Sequence, residues 1–368
     1  MVSLRSWTII HRWSSLLCTL FLLIICITGL PLIFSDEIQQ WQDGYSEISN
    51  SKVVTAQDLD GMVNTTKQMF PREIFRWVVF SDQGHVLVTM APSLAASPML
   101  NHWMRFGQSK TDILENSLSN KKQRSSFMKI ILHLHTDLFG GLSGELFLGF
   151  MGLLFLVAII SGGVLYRPFM RKLDFGAVRK NKGRRIRWLD LHNLLGVATI
   201  IWAVIVGTTG VINELSTPLF SLWSKTEVSS LLEPYKQKPL PSKTVSVGKV
   251  YETIQSAMPD KAIFSIIYPD PVATSAHHYM VWVKGNSPLT SRLFTPLLVD
   301  ADTGFIAERA NLPWYLKTLE LSRPLHFGDY AGLPLKCLWL LFDLVTIVVL
   351  LSGLYLWFEK KSKSQLPR

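Results

Sequence analysis

Four histidines stand at matching places in a chain of 368 residues. His11 is followed at 17 and 18 residues by Thr28-Gly29, and His192 at the same offsets by Thr209-Gly210. His135 is followed at 6 residues by Gly141 and at 26 and 27 by Ser161-Gly162; His326 is followed at 6 by Gly332 and at 26 and 27 by Ser352-Gly353. A histidine in or beside a long apolar run is costly to bury charged and is a functional candidate by default. Two imidazoles facing each other across a helix bundle can clamp a haem iron axially, because neutral imidazole is a good ligand and bundle interiors house cofactors. With both axial positions filled, the iron has no open site for O2 chemistry and passes single electrons. No C-x-x-C-H attachment motif exists among Cys18, Cys26 and Cys337, so the expectation is two non-covalent haem b groups with bis-histidine ligation. His11 and His192 would serve one, His135 and His326 the other. Any one of these residues alone fits an ordinary interfacial histidine; four in register shift the balance toward a cofactor site.

His133 competes with His135. Two residues apart on a helix, they point about 200° apart and cannot face one haem. The repeat offsets favour His135 and leave His133 for a propionate or a lipid. Arg5, Arg12, Arg184, Arg185 and Arg187 cluster near the first pair, where they fit either propionates or the ordinary cytoplasmic excess of basic residues. Asp190, two before His192, is a candidate to orient that imidazole or to begin a helix. Glu145 and Asp343 sit in apolar runs, where an acid is expensive; a proton, a quinol or the outer cofactor are their candidate partners. His85, His102, His277 and His278 read as surface residues, with substrate contact as the alternative. The glycines of the apolar runs, among them Gly29, Gly162, Gly210 and Gly353, allow close approach of helices or of a flat macrocycle.

The elements that must position these residues are membrane helices. The chain is 48% apolar and 17% charged, with mean hydropathy +0.24, which excludes a disordered chain and argues for a membrane protein. Trp13–Phe34, Leu142–Tyr166, Leu191–Ile212 and Lys336–Phe358 are long enough to cross a bilayer. The first lacks an A-x-A-like site and reads as a retained span. Lys and Arg (37) exceed Asp and Glu (27), but Arg167–Arg187 alone holds nine basic residues and one acid, Asp174. The two long connections are nearly neutral. The positive charge is therefore topological and needs no nucleic acid, with both termini and the short basic loop in the cytoplasm. The organisation is a duplicated two-helix unit: N-terminus and first span (1–34), outer segment (35–130), second span (131–166), basic loop (167–187), third span (188–213), outer segment (214–325), fourth span with its preceding segment (326–358) and tail (359–368). Each outer segment reads as a small α+β domain, a short amphipathic helix followed by alternating strands, the second ending in a strand–turn–strand with Thr303-Gly304 at the turn.

His11-Arg12-Trp13, "LHTDLFGGLSGE", "DLHNLLG" and "LHFGDYAGLPLK" together resemble the PepSY-associated transmembrane proteins, and "VDADTGFIAE" resembles the end of a PepSY domain. The resemblance covers nearly the whole chain; the first outer segment departs from it in lacking a clear D-x-x-T-G turn. Members of that group include bacterial inner-membrane siderophore-iron reductases of the FoxB type. The resemblance implies an integral membrane α-helical protein with two PepSY-like periplasmic domains, two b haems on His11, His135, His192 and His326, and a ferric siderophore as substrate. Ferric iron suits hard oxygen donors better than ferrous iron does, so one added electron loosens the complex, and a separate ferrous transporter would take up the metal.

No G-x-G-x-x-G after a strand and no P-loop is present, so electrons would come from membrane quinol or a cytoplasmic reductase. The competing readings are a quinol-linked cytochrome serving a protein partner, a non-enzymatic PepSY-bearing anchor or regulator, and a permease-like protein.

Overall fold

The computed structural model describes residues 3–43, 54–81, 84–96, 100–107, 109–118, 125–170, 176–235, 237–241, 243–271, 275–287, 290–291, 293–309 and 312–364. Arg171, Lys172 and Asp174 of the basic loop and Arg368 of the tail lie outside these residues. The first half of the chain runs α1 (Leu4–Ile33), α2 (Ser35–Asp43), α3 (Ala56–Met69), β1 (Ile74–Phe80), β2 (Val86–Ala91), β3 (His102–Phe106), β4 (Ile113–Asn116), α4 (Ser125–Thr136) and α5 (Leu142–Met170). The second half begins with α6 (Arg184–Glu214) and α7 (Ser216–Trp223), which continues through a π-helical stretch into α8 (Ser229–Leu232). It goes on with α9 (Val247–Ala257), β5 (Lys261–Ile267), β6 (His278–Gly285), β7 (Phe294–Asp300), β8 (Ile306–Arg309), α10 (Trp314–Phe327) and α11 (Leu333–Ser364).

These elements form two compact units. In the first, α1, α5, α6 and α11 are each long and apolar enough to cross a membrane. They pack in a closed ring, α1 on α5, α5 on α6, α6 on α11 and α11 on α1. The helices begin earlier than the apolar runs do, at Leu4 and Arg184 rather than Trp13 and Leu191. Backbone hydrogen bonding continues past the point where side chains turn polar, so His11 and His192 lie two turns inside their helices.

α4 and α10 reach α5 and α11 through tight reversals. Gly141 (φ +55°) and Gly332 (φ +63°) take left-handed conformations at equivalent places, which explains the repeated glycine six residues after His135 and His326. In the first reversal Gly140 N donates to the Asp137 carbonyl at 2.7 Å. A Cβ at Gly144 would fall 1.7 Å from that same carbonyl oxygen, so only glycine fits.

The second unit joins the two expected α+β segments into one sheet. All pairings in the order β4-β3-β2-β1-β5-β6-β7-β8 are antiparallel. The seam is β1 against β5, with Trp77, Val78 and Val79 opposite Ile267, Ile266 and Ser265. Each half alone would leave an apolar strand edge unpaired, and the duplicate covers it. Helices α3, capped by Thr55 and Asp58, and α9, capped by Ser246, lie on one face. Their Leu59, Met62, Val250 and Ile254 share a core with Val78, Val88, Ile266, Val281 and Leu297, each such buried side chain contributing about 1.5–3 kcal/mol. The helices meet closely at Gly248, whose N–H donates to Asp60 Oδ1 at 2.8 Å. On the other face Phe220 and Trp223 pack against Trp282 of β6. The turn at Thr303-Gly304 is as read from sequence: Asp300 Oδ1 accepts from the Asp302 and Thr303 amides, and Gly304 has φ +75°.

Candidate functional site

Within the helical unit the structure brings His11 to His192 and His135 to His326. The ring centres are 6.5 Å apart in the first pair and 6.3 Å in the second. Each pair takes one ring from each half of the chain.

The four rings are held in the same way. His11 Nδ1 lies 2.9 Å from the Ala158 carbonyl and 3.2 Å from Ser161 Oγ. His135 Nδ1 lies 3.0 Å from the Ile25 carbonyl and 3.1 Å from Thr28 Oγ1. His192 Nδ1 lies 3.1 Å from the Val349 carbonyl and 2.9 Å from Ser352 Oγ. His326 Nδ1 lies 3.1 Å from the Val206 carbonyl and 3.3 Å from Thr209 Oγ1. A carbonyl oxygen only accepts, so each Nδ1 carries the ring proton. Each hydroxyl donates within its own helix, as Thr28 does to the Ile24 carbonyl at 2.7 Å and Ser352 to the Val349 carbonyl at 2.8 Å. A lone pair is thereby left for the ring N–H. Among the described residues no hydrogen bond goes to any of the four Nε2 atoms, which are the nitrogens free to ligate a metal.

The glycine after each hydroxyl residue completes the cradle. A Cβ at Gly162 or Gly210 would lie 3.1 Å from Cε1 of His11 or His326, and one at Gly29 or Gly353 would lie 3.4 Å from Cε1 of His135 or His192. Two imidazoles sharing one metal through Nε2, with metal–nitrogen bonds of about 2.0–2.1 Å, have centres about 6–6.5 Å apart. Both pairs have that spacing. Among the described residues no group of three or more His, Cys, Asp or Glu could hold a metal ion.

A cavity of about 480 Å³ opens beside the first pair, within the range of cofactor sites. His11, His192, Gly162, Gly163, Gly196 and Gly353 line it, with Arg12, Tyr166 and Trp357 at one end. Along α1, His11 and the Ile25–Thr28 cradle of His135 are separated by roughly 21–25 Å at 1.5 Å per residue. A hydrocarbon core is about 30 Å thick, so the pairs lie toward opposite ends of the bundle.

His133 turns away from both pairs. Its Nδ1 contacts both carboxylate oxygens of Asp137 at 3.2 Å, and its ring stacks on Phe139. Asp190 does not touch His192. It receives Arg179 through Nε (3.0 Å), Nη2 (2.7 Å) and the backbone N (3.0 Å). A buried carboxylate draws the guanidinium fork more strongly than a ring already served by a carbonyl, and the contact ties the basic loop to α6. Arg184 stacks over Tyr355. Not all of the remaining histidines are at the surface. His85 and His278 are buried; His278 Nδ1 meets Ser275 Oγ at 2.9 Å, while His102 pairs with Glu73 and stacks on Phe70. Asp343 is buried in the bundle beside Cys26, and Glu145 is half-buried near Glu214.

The residues that sequence reasoning undervalued are Thr28, Ser161, Thr209 and Ser352. Their spacing was visible, but it reads as span-end packing. The informative signal was that the dyads number the same as the histidines and that an antiparallel hairpin sets each dyad beside the histidine of the other span.

The family described as PepSY-associated TM region matches residues 8–360. The chain is also similar to Uncharacterized protein PA4219 of Pseudomonas aeruginosa, with 24% identity over 267 residues, covering 64% of this chain and 64% of that protein. The chain thus spans less than two thirds of that relative's length. With the family match running over nearly its whole length and the paired histidines inside that match, this chain belongs to the PepSY-associated TM region family.

Proposed function

We propose that this protein is a di-haem b membrane reductase that passes single electrons across the bilayer to ferric iron held by a siderophore. The observation that carries the reading is the fourfold cradle, in which every Nδ1–H is committed to a carbonyl and every Nε2 faces no competing partner. Bound there, haem b supplies reversible one-electron carriage without an open coordination site. The protein's own part is to fix the tautomer and the angle of each ring. It also keeps the rings in apolar surroundings and leaves room at the glycines for a flat ligand.

The excess of basic residues in the 167–187 loop supports an orientation with that loop and both termini in the cytoplasm and the two outer segments in the periplasm of a bacterial inner membrane. Electrons enter on the inner face, from membrane quinol or a cytoplasmic reductase. They leave on the outer face, where one electron converts a ferric chelate to a ferrous one and weakens the hold of its oxygen donors. The choice of substrate rests on the resemblance to siderophore-iron reductases and on that hard-donor chemistry.

Two measurements test the reading. Protein purified from haem-replete cells should show a Soret band and about two haems per chain; a colourless preparation ends the haem assignment. Dithionite-reduced protein mixed anaerobically with ferric siderophores should be reoxidised. If it holds two haems yet no ferric chelate reoxidises it, the substrate assignment falls and the cytochrome remains.

A further inference from the structure

The two halves repeat the histidines, hydroxyls and glycines of the imidazole pairs, and the repeat carries each pair onto itself, so a departure from it marks where the two sides of one pair differ. The His11-to-His192 spacing relates Cys26 of α1 to Gly207 of α6, and the His135-to-His326 spacing relates Asp343 of α11 to Gly152 of α5. The α5–α6 contact is closed by these glycines. A Cβ at Gly152 would lie 2.8 Å from Val211 Cγ2, and one at Gly207 would lie 3.2 Å from the Phe155 ring. The equivalent α1–α11 contact holds a thiol and an acid instead.

Asp343 is only 6% exposed and lies beside Cys26. Its Oδ2 lies 3.4 Å from the point where a Gly29 Cβ would stand, and the same point is 3.4 Å from Cε1 of His135. The acid therefore flanks the cradle of His135. At Gly210, the counterpart of Gly29, such a Cβ would meet only the His326 ring. Lys336, two turns earlier on α11, is committed to Glu37 at 2.8 and 2.9 Å. The cavity of the first pair has Arg12 in its lining instead of an acid.

Resting on the haem reading above, we infer that Asp343 is a positioning residue that lowers the redox potential of the His135–His326 centre and makes it the stronger reductant of the two. A negative carboxylate in a low-dielectric interior favours the oxidised centre, which carries one more positive charge than the reduced one. Oxidation of the centre and ionisation of Asp343 favour one another, because each charge attracts the other. In the proposed orientation this centre faces the substrate, so its lower potential adds driving force to ferric reduction. An inside-negative membrane potential favours electron movement toward it.

The test is an anaerobic potentiometric titration of the full chain with its pigment, followed by absorbance. Asp343→Asn keeps the shape and removes the charge. It should leave two haems per chain and raise one midpoint so that the reduced-to-oxidised ratio at fixed potential changes about tenfold, or 59 mV for one electron. The other midpoint should stay. The shift should persist in a His192→Ala background, which retains only the second pair, and vanish in a His326→Ala background. Should Asp343→Asn lose its second haem, Cys26→Ala decides: changing the side chain beside the carboxylate should shift the same midpoint and leave the other. Two haems with both midpoints unmoved, or a Cys26→Ala variant that shifts neither, overturns the inference and leaves the haem reading intact. Absence of pigment from the unsubstituted chain overturns the haem reading itself.

Discussion

Ser161 Oγ and His11 Nδ1 lie 3.2 Å apart although 150 residues separate them, and Ser352 repeats the contact with His192 at 2.9 Å. The hydroxyl supplements a carbonyl that already fixes the tautomer. Ser161→Ala should therefore keep the first centre but loosen it, by about tenfold in haem affinity, the low end for loss of an outer hydrogen bond. Transfer to an apo-haem acceptor protein reads this directly.

His11→Ala, His192→Ala, His135→Ala and His326→Ala should each remove one of two haems, and His133→Ala should remove none. The ring of His133 is turned to Asp137 and Phe139. Pigment-to-protein ratios decide; loss of a haem in His133→Ala with retention in His135→Ala would reverse the assignment.

Gly210→Val should abolish the second centre while the chain still folds. Even a single Cβ there comes within 3.1 Å of the His326 ring, and two further methyl groups drive the ring off its carbonyl. Gly183→Ala is the control, since its Cβ would meet nothing within 4 Å. Equal haem loss in both variants would remove the cradle argument.

The Arg179–Asp190 fork predicts a protease phenotype. Asp190→Ala releases the 176–183 stretch from α6, and trypsin should then cut at Arg179, Lys180 or Lys182 several-fold faster than in the unsubstituted protein. The cut should occur in inside-out vesicles and not in right-side-out ones. Cleavage from the outer side would overturn the proposed orientation.

The sheet unit should lose stability in mild acid. Burial holds the His278 imidazole below its ordinary value, aided by repulsion from His277 and Lys238 and opposed by attraction to Asp300. The unfolded chain then binds the proton more readily than the folded one. Stability is complete above about pH 6.5 and drains away as pH falls toward the lowered native value. Tryptophan-fluorescence melts should show the transition dropping by a few degrees between about pH 7 and pH 5, and His278→Gln should flatten that dependence.

Much of this arrangement was legible in the residues, for physical reasons. Spans show through because a bilayer demands apolar length, and the duplication shows through because the histidine and glycine offsets repeat to the residue. The partition of His133 from His135 followed from helical periodicity. Three things were hidden. The seam between Val78 and Ile266 depends on two strands about 190 residues apart, and nothing local specifies it. Asp190 reads from sequence as an orienter of His192 or a helix-start acid, whereas its partner Arg179 arrives from the preceding loop. His85 and His278 read from sequence as surface residues, yet His278 lies in β6 and His85 just before β2, and both are buried.

Each imidazole pair is drawn from both halves of the chain, and the central seam of the sheet is as well. A polypeptide carrying one half alone would own two of the four histidines but neither pair, and an open strand with nothing to zip against. It would have to find a second copy of itself before either histidine pair existed. Fusing the copies makes that encounter intramolecular, and it frees residues such as Asp343 and Gly152 to diverge on one side only.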